Sequence, residues 1–451
     1  MRKLAGAAVW ILAASLAGCV KYHPQPLDPP HSEQLFRART LDDPGLVAFL
    51  KRTDWPPARL GLNDLSAVAL YFNSDLDLAR AQLRTAQAAI MTAEGRPNPS
   101  LSVGGGYESS PESPLLFSFS PAFTLITAGK RGWRILEAEK AAEAARLGLE
   151  ETAWRVRSHV RSAWLDHNMA LRSLEILRGE VEVRAQSVAI LEKRLTAGEA
   201  SRPELEAVRA ALIAVEVAEK AAGTRINESG AALAAAIGLP AAPPMDTETL
   251  PATPGLLPID TVQQAGLLHR ADIRRSLLEY AAAEANLHLE IANQYPDFQY
   301  SPGYNFDEGH HKITLTSTFN VPLFNRNRGP IAEAQARRAE AEARFNALQA
   351  QAIGEMEVAL ARYNGAREEL ASAEQRFSGI QQTRAAAILR AVRAGEEDRL
   401  ALAGVQVERS AAARARLDAL ERAQSAFGAL EDAVQHPLDQ GPPLPDPASK
   451  P

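Results

Sequence analysis

From Leu149 to Leu195 the apolar residues recur every seven positions. Leu149, Val156, Ala163, Ala170, Leu177 and Leu191 form one series, interrupted by Arg184. Ala153, Val160, Leu174, Val181, Val188 and Leu195 form a second, four residues on, interrupted by His167. A three–four spacing held over this length predicts one helix from Lys130 to Leu195, packed on its neighbours as in a coiled coil. At about 1.5 Å per residue it spans roughly 100 Å, more than any globular core requires. His167 reads as a polar residue in that seam rather than a metal ligand, since no second ligand stands three or four residues away. Gly198 closes the helix, and Ser201 with Glu204 makes a capping box for the next, over 203–238, with Pro203 in its first turn. The chain therefore reverses in an αα-hairpin. Upstream, an alanine-rich helix runs from Asp75 to Glu94 and stops before Pro97 and Pro99.

Between these helices the period changes to two. In 115–126 Phe117, Phe119, Phe123 and Leu125 alternate with small or hydroxyl residues, and 312–324 repeats the pattern with Ile313, Leu315 and Phe319. Segments 101–109 and 298–306 alternate as well, through Val103 and Tyr107, and Tyr300, Tyr304 and Phe306. The four segments hold ten of the aromatic residues, and their only charges are Glu108 and Lys312. Strands of about ten residues with one apolar and one small polar face match an outer-membrane barrel, lipid outside and water within. A soluble antiparallel sheet packed on helices gives the same alternation. Four strands are too few to close a barrel, so a membrane barrel has to be shared between subunits.

The chain also repeats itself at an offset of 197 residues. Asp75-Leu76 recurs as Asp272-Ile273, Gly106-Tyr107 as Gly303-Tyr304, Arg131-Gly132 as Arg328-Gly329, and Ala197-Gly198-Glu199 as Ala394-Gly395-Glu396. A register that holds through helix, strand and turn indicates duplication, with two copies too few for a solenoid. The predicted organisation is a first repeat over 65–238, a linker over 239–261, a second repeat over 262–436 and a proline-rich, disordered tail over 437–451.

Composition adds exclusions. With 49 basic and 55 acidic residues interleaved, no basic footprint for nucleic acid is present. The single cysteine excludes an internal disulfide or a cysteine-rich metal centre. There is no HExxH, P-loop or GxSxG motif, so the sequence predicts no enzyme, no cofactor and no resident metal. His310-His311 reads as a solvated turn. At the N-terminus Arg2-Lys3, the apolar run Leu4–Leu16 and the small residues before Cys19 describe a secretory signal over 1–18. Leu16-Ala17-Gly18-Cys19 resembles a bacterial lipobox, which implies acylation of Cys19 at the head of a segment 19–64, and Val20 favours the outer membrane as its destination.

Several motifs, in this order, resemble the TolC family of outer-membrane efflux proteins. They are the lipobox; the helix starts Asn73-Ser74-Asp75-Leu76 and Arg270-Ala271-Asp272-Ile273; Arg96-Pro97-Asn98-Pro99 before the first strand; Gly129-Lys130-Arg131 before the long helix; and Val321-Pro322-Leu323-Phe324-Asn325-Arg326-Asn327 in the second copy. The resemblance implies a mainly α chain with a small β part. Each subunit of a homotrimer would give four strands to a twelve-stranded outer-membrane barrel and its helices to a periplasmic α-barrel. It implies a passive conduit docked to a periplasmic adaptor and an inner-membrane resistance-nodulation-division pump. It places Leu195, Gly198, Ser201 and Leu205, with Val392, Gly395 and Leu402, at the adaptor-facing tip. Asp398 stands where the first copy has Ser201, so the two hairpins are expected to differ there. The 321–327 segment resembles the branch exporting cobalt, zinc and cadmium; export of organic compounds and type I secretion are the alternatives. A periplasmic coiled-coil scaffold is the competing reading of another class, and it needs no lipid-facing strands.

Overall fold

The structure is a computed structural model of the full chain. It describes residues 21–50, 55–107, 109, 115–246, 255, 258–307, 309–438 and 444–450. The signal segment and Cys19 lie outside the described residues. The chain divides into two units, the first ending at Thr40 and the second comprising Leu41–Pro451. In the first unit, helix α1 (Pro29–Arg37) is capped by Asp28, whose side chain accepts from the His31 amide.

In the second unit the described elements are α2 (Pro44–Leu50), α3 (Leu62–Phe72), α4 (Ser74–Glu94), β1 (Ser100–Tyr107), β2 (Leu115–Leu125), α5 (Lys130–Thr196) and α6 (Arg202–Ile237). They continue with α7 (Ile259–His269), α8 (Ala271–Ala292), β3 (Phe298–Asp307), β4 (His310–Thr318), α9 (Arg328–Ala394) and α10 (Arg399–Val434). The duplication is visible element by element. The long helices α5 and α9 each have 67 residues and the return helices α6 and α10 each have 36. Helices α3 and α7, 11 residues each, extend the repeat upstream to Leu62 and Ile259.

Helix α5 packs against α6, α8, α4, α10 and α3, whereas α9 packs against α10, α8 and α7. The result is a single layer of helices, with α5 in its interior and α9 at one side. Burial along α5 follows the first heptad series, with Leu149, Val156, Ala170, Leu177 and Leu191 all buried. The second series is mostly half-buried, Leu174, Val181, Val188 and Leu195 included. Two equivalent cores form where each return helix ends. One joins Leu65, Val160, Trp164, Leu233 and Ile237; the other joins Val262, Met356, Tyr363, Phe427, Leu430 and Val434. The first is larger because α2 covers it with Leu46 and Phe49.

Three expectations are corrected. The strand expected over 312–324 ends at Thr318, because its partner β3 begins only at Phe298 and the last pair of the ladder is Gln299 with Thr318. The segment read as linker to 261 ends sooner, since α7 begins at Ile259 behind Pro258. The far end of the tail is ordered: Lys450 Nζ donates to the Tyr71 carbonyl at 2.6 Å and to Asp77 Oδ1 at 2.7 Å, and Arg80 Nε donates to the Pro447 carbonyl at 2.8 Å. Residues 444–450, the described end of the tail, are thus fixed to α3 and α4 by charge and backbone hydrogen bonds.

Candidate functional site

The strands form one antiparallel sheet in the order β1-β2-β3-β4. Its register brings the alternation of all four strands onto common faces. Val103 stands opposite Phe119, Phe119 opposite Tyr304 and Tyr304 opposite Ile313. Tyr107, Leu115, Phe117, Phe306 and Leu315 share that face by parity. The other face collects Ser102, Gly104, Ser118, Ser120, Ser301 and Thr314. The apolar face is uncovered: Ile313 is 89% exposed, Tyr107 74%, Leu315 73% and Phe117 46%. A large unpartnered apolar surface of this kind is stable only against lipid or another chain. Strands of 8 to 11 residues are about the length a tilted strand needs to cross a hydrocarbon core. Among the described residues no strand lies beside the outer edges of β1 and β4.

Below the sheet, chain crossings are tied by polar contacts. Lys130, at the start of α5, is buried and donates through Nζ to the Tyr295 carbonyl at 2.6 Å and to Asp297 Oδ1 at 2.8 Å. Thr127 donates its amide to the same carboxylate at 2.9 Å and its hydroxyl to the Pro296 carbonyl at 2.7 Å. Burial alone would raise the Asp297 carboxyl, but the Lys130 and Thr127 hydrogen bonds and the ammonium charge outweigh it and hold it below its usual value. In the second copy Asn327 occupies the position of Lys130 and donates to Glu290 instead. Sequence reasoning singled out Lys130 and Asn327 only as parts of motifs and gave Asp297 no role beyond the repeat.

At the opposite end of the long helices lie the two hairpins. Gly198 and Gly395 both adopt φ of +76°, the left-handed conformation that lets a helix stop in one residue. Gly198 and Ser201 are exposed, while Leu195, Val392 and Leu402 are half-buried. Leu205 is 3% exposed and holds α6 against α5 from within the hairpin. The caps differ as the sequences do. Ser201 Oγ accepts from the Glu204 amide at 3.4 Å, whereas Asp398 Oδ1 accepts from the Ala401 amide at 2.8 Å. Asp398 also takes a hydrogen bond from Arg194 Nη2 at 2.6 Å, so the second hairpin is pinned to the last turn of α5. The Ala401 amide, first, and Arg194, second, hold the Asp398 carboxyl below its ordinary value. Sequence reasoning noted the Ser201/Asp398 difference but had no way to pair Asp398 with Arg194, 204 residues away.

Among the described residues no helix is long and apolar enough to cross a membrane, and no group of three or more potential metal ligands comes together. His310 and His311 lie in β4, on opposite faces; His311 Nδ1 shares a 2.6 Å hydrogen bond with the Tyr304 hydroxyl.

Comparison with known proteins agrees with this architecture. The family model described as outer membrane efflux protein matches residues 65–239. A search among curated proteins finds no match. Among solved structures, the chain resembles the Neisseria gonorrhoeae MtrE outer membrane channel in its open state, with a TM-score of 0.67 at 16% identity, over 84% of this chain and 90% of that one. It resembles VceC, an outer membrane protein of Vibrio cholerae, with a TM-score of 0.63 at 22% identity, over 83% and 96%. It also resembles CusC, described in terms of transmembrane channel formation, with a TM-score of 0.66 at 18% identity, over 84% and 92%. These likenesses extend the fold across both repeats, and the outer membrane efflux protein model covers the first of them.

Proposed function

We propose that three copies of this chain close into one continuous conduit from periplasm to exterior. The observation that carries it is the coincidence of two open edges. The layer of helices ends in α4 and α6 on one side and in α9 on the other, and the sheet ends in β1 and β4. Strand β1 continues α4, and β4 leads into α9, so the free strand edge and the free helix edge on each side belong to the same stretch of chain. A neighbouring copy presenting its β1, α4 and α6 to β4 and α9 satisfies both at once. Such a head-to-tail contact generates a ring when its rotation closes, and three copies bring the strands to twelve, an even number within the range of membrane barrels.

In this reading the apolar sheet face meets outer-membrane lipid and the hairpins form the periplasmic tip. Leu195, Gly198, Ser201, Val392, Gly395 and Leu402 there offer a small, polar-rimmed surface to a periplasmic adaptor, with Leu205 packing behind it. The adaptor would connect the channel to an inner-membrane resistance-nodulation-division pump, which supplies the energy. Heavy-metal cations are the proposed cargo, on the resemblance of Val321–Asn327. Cys19 is the proposed lipid anchor, and mass spectrometry of the mature N-terminus is expected to find it acylated; an unmodified cysteine refutes the anchor.

The deciding experiment is light scattering and planar-bilayer recording on the detergent-purified protein. A trimeric mass with stepwise conductance is expected. A non-conducting species of any other mass would favour the periplasmic scaffold.

A further inference from the structure

The β3–β4 hairpin carries the only fully charged side chains among the described residues on the small-residue face of the sheet. Lys312 Nζ donates to Asp307 Oδ2 at 2.8 Å, with the two side chains 51% and 33% exposed. Asp307 stands opposite His310, and Lys312 opposite Asn305, so the pair lies diagonally across the ladder at its hairpin end. By parity both belong with Ser301, Gly303, Thr314 and Thr316, on the face opposite Tyr304, Phe306 and Ile313. No other described strand position on this face is an aspartate, glutamate, lysine or arginine.

We propose that Asp307 and Lys312 determine the ion preference of the channel's external mouth. The inference rests on the conduit reading, in which the small-residue face lines water and three copies set three pairs around the lumen. A pair held at hydrogen-bond distance presents a dipole, whose field fades faster than that of a charge, so the pair itself adds little net charge to its stretch of wall. The wall behind it is a sheet backed by lipid, a poor dielectric that directs the field of any uncompensated charge into the aqueous lumen. A ring of like charges in such a pore enriches ions of the opposite sign. Neutralising one partner therefore removes one charge from each copy and shifts the net charge of this ring by three units, with a sign fixed by the partner that is removed.

The test is reversal-potential measurement on purified channels in planar bilayers under a potassium chloride gradient. Lys312→Gln leaves the Asp307 carboxylates and is expected to raise the potassium-to-chloride permeability ratio by about two-fold or more. Asp307→Asn leaves the ammonium groups and is expected to lower it by a similar factor, and the double variant returns toward the wild-type value. Both shifts shrink as salt rises from about 0.1 M to 1 M, because the screening length contracts from about 10 Å to 3 Å. A Thr314→Cys channel allows charge to be added after assembly: a cationic thiol reagent is expected to lower the ratio and an anionic one to raise it. Conducting channels whose ratio ignores both single substitutions and both reagents overturn this assignment while leaving the conduit intact. Wild-type protein that conducts nothing overturns the conduit itself.

Discussion

His167 interrupts a heptad series, and the two repeats explain how it is tolerated. Where the second copy fills the equivalent core with Phe427, the first has Gly230, 197 residues earlier in register. A Cβ on Gly230 would stand 3.2 Å from His167 Cε1, so the missing side chain makes room for the ring. The imidazole Nδ1 lies 2.9 Å from Ser229 Oγ, where the second copy has Ala426. Glycine, serine and histidine thus replace an aromatic core residue as a set. Burial lowers the His167 pKa, a hydrogen bond with the Ile226 backbone opposing it. With the folded value below the unfolded one of about 6.5, neither state holds the proton well above that pH, and the stability is complete only there. As pH falls, the unfolded chain takes up a proton that the folded chain resists, and stability declines. His436 acts with the same sign, its pKa lowered by burial and then by His269 and Arg157. Replacing His167→Gln is therefore expected to reduce, without abolishing, the loss of melting temperature between about pH 7 and pH 5. An unchanged slope in scanning calorimetry would show that His167 does not titrate in the fold.

At the scale of elements, the hairpins show how one substitution between repeats alters more than a cap. Ser201 caps α6 and does nothing else within the described contacts, while Asp398 caps α10 and binds Arg194 of α5. The two functions separate by substitution. Asp398→Ser keeps an N-cap and removes the carboxylate, so α10 is expected to keep its stability while the second hairpin moves more independently of α5. Asp398→Ala loses the cap as well, at a further cost of about 1 kcal/mol. Trypsin cleavage after Lys193 and Arg194 measures the first effect and urea unfolding the second. Equal cleavage rates in Asp398→Ser and wild type would mean the pair adds no restraint at the tip. The helices themselves were legible because their information is local. Heptads, caps and glycines lie within a few residues of one another, and α5 starts at Lys130 and ends at Thr196, one residue past the apolar series. The end of β4 was not, because alternation continues through Val321 and Leu323 after the ladder has stopped at Thr318. The tail was not, because its order comes from Tyr71, Asp77 and Arg80, far away in sequence.

For the whole molecule, periodicity revealed an apolar sheet face and long helices, but which sides of the layer stay open became visible only in the packing. Helix α6 illustrates the consequence. Val215 is 5% exposed, and at 100° per residue Ile213 and Val217 lie about 200° from it on either side, on the opposite face of the helix, 59% and 62% exposed. On α9, Val358 is likewise two residues from fully buried Met356 and 50% exposed. If the chain acted alone, these would be ordinary surface residues, and changing them would shift stability by no more than about 0.5 kcal/mol. In a closed ring α6 of one copy faces α9 of the next, and each substitution is repeated at every interface. Burying a valine side chain contributes about 1.5–3 kcal/mol, and placing an unpaired ammonium there costs more still. Val217→Lys is therefore expected to leave helicity unchanged in circular dichroism while converting the oligomer into monomers in detergent. A glutamate at Val358 combined with Val217→Lys is expected to restore assembly by pairing the charges across the contact, and a Val217→Lys protein that keeps its oligomeric mass would place this face of α6 outside the interface.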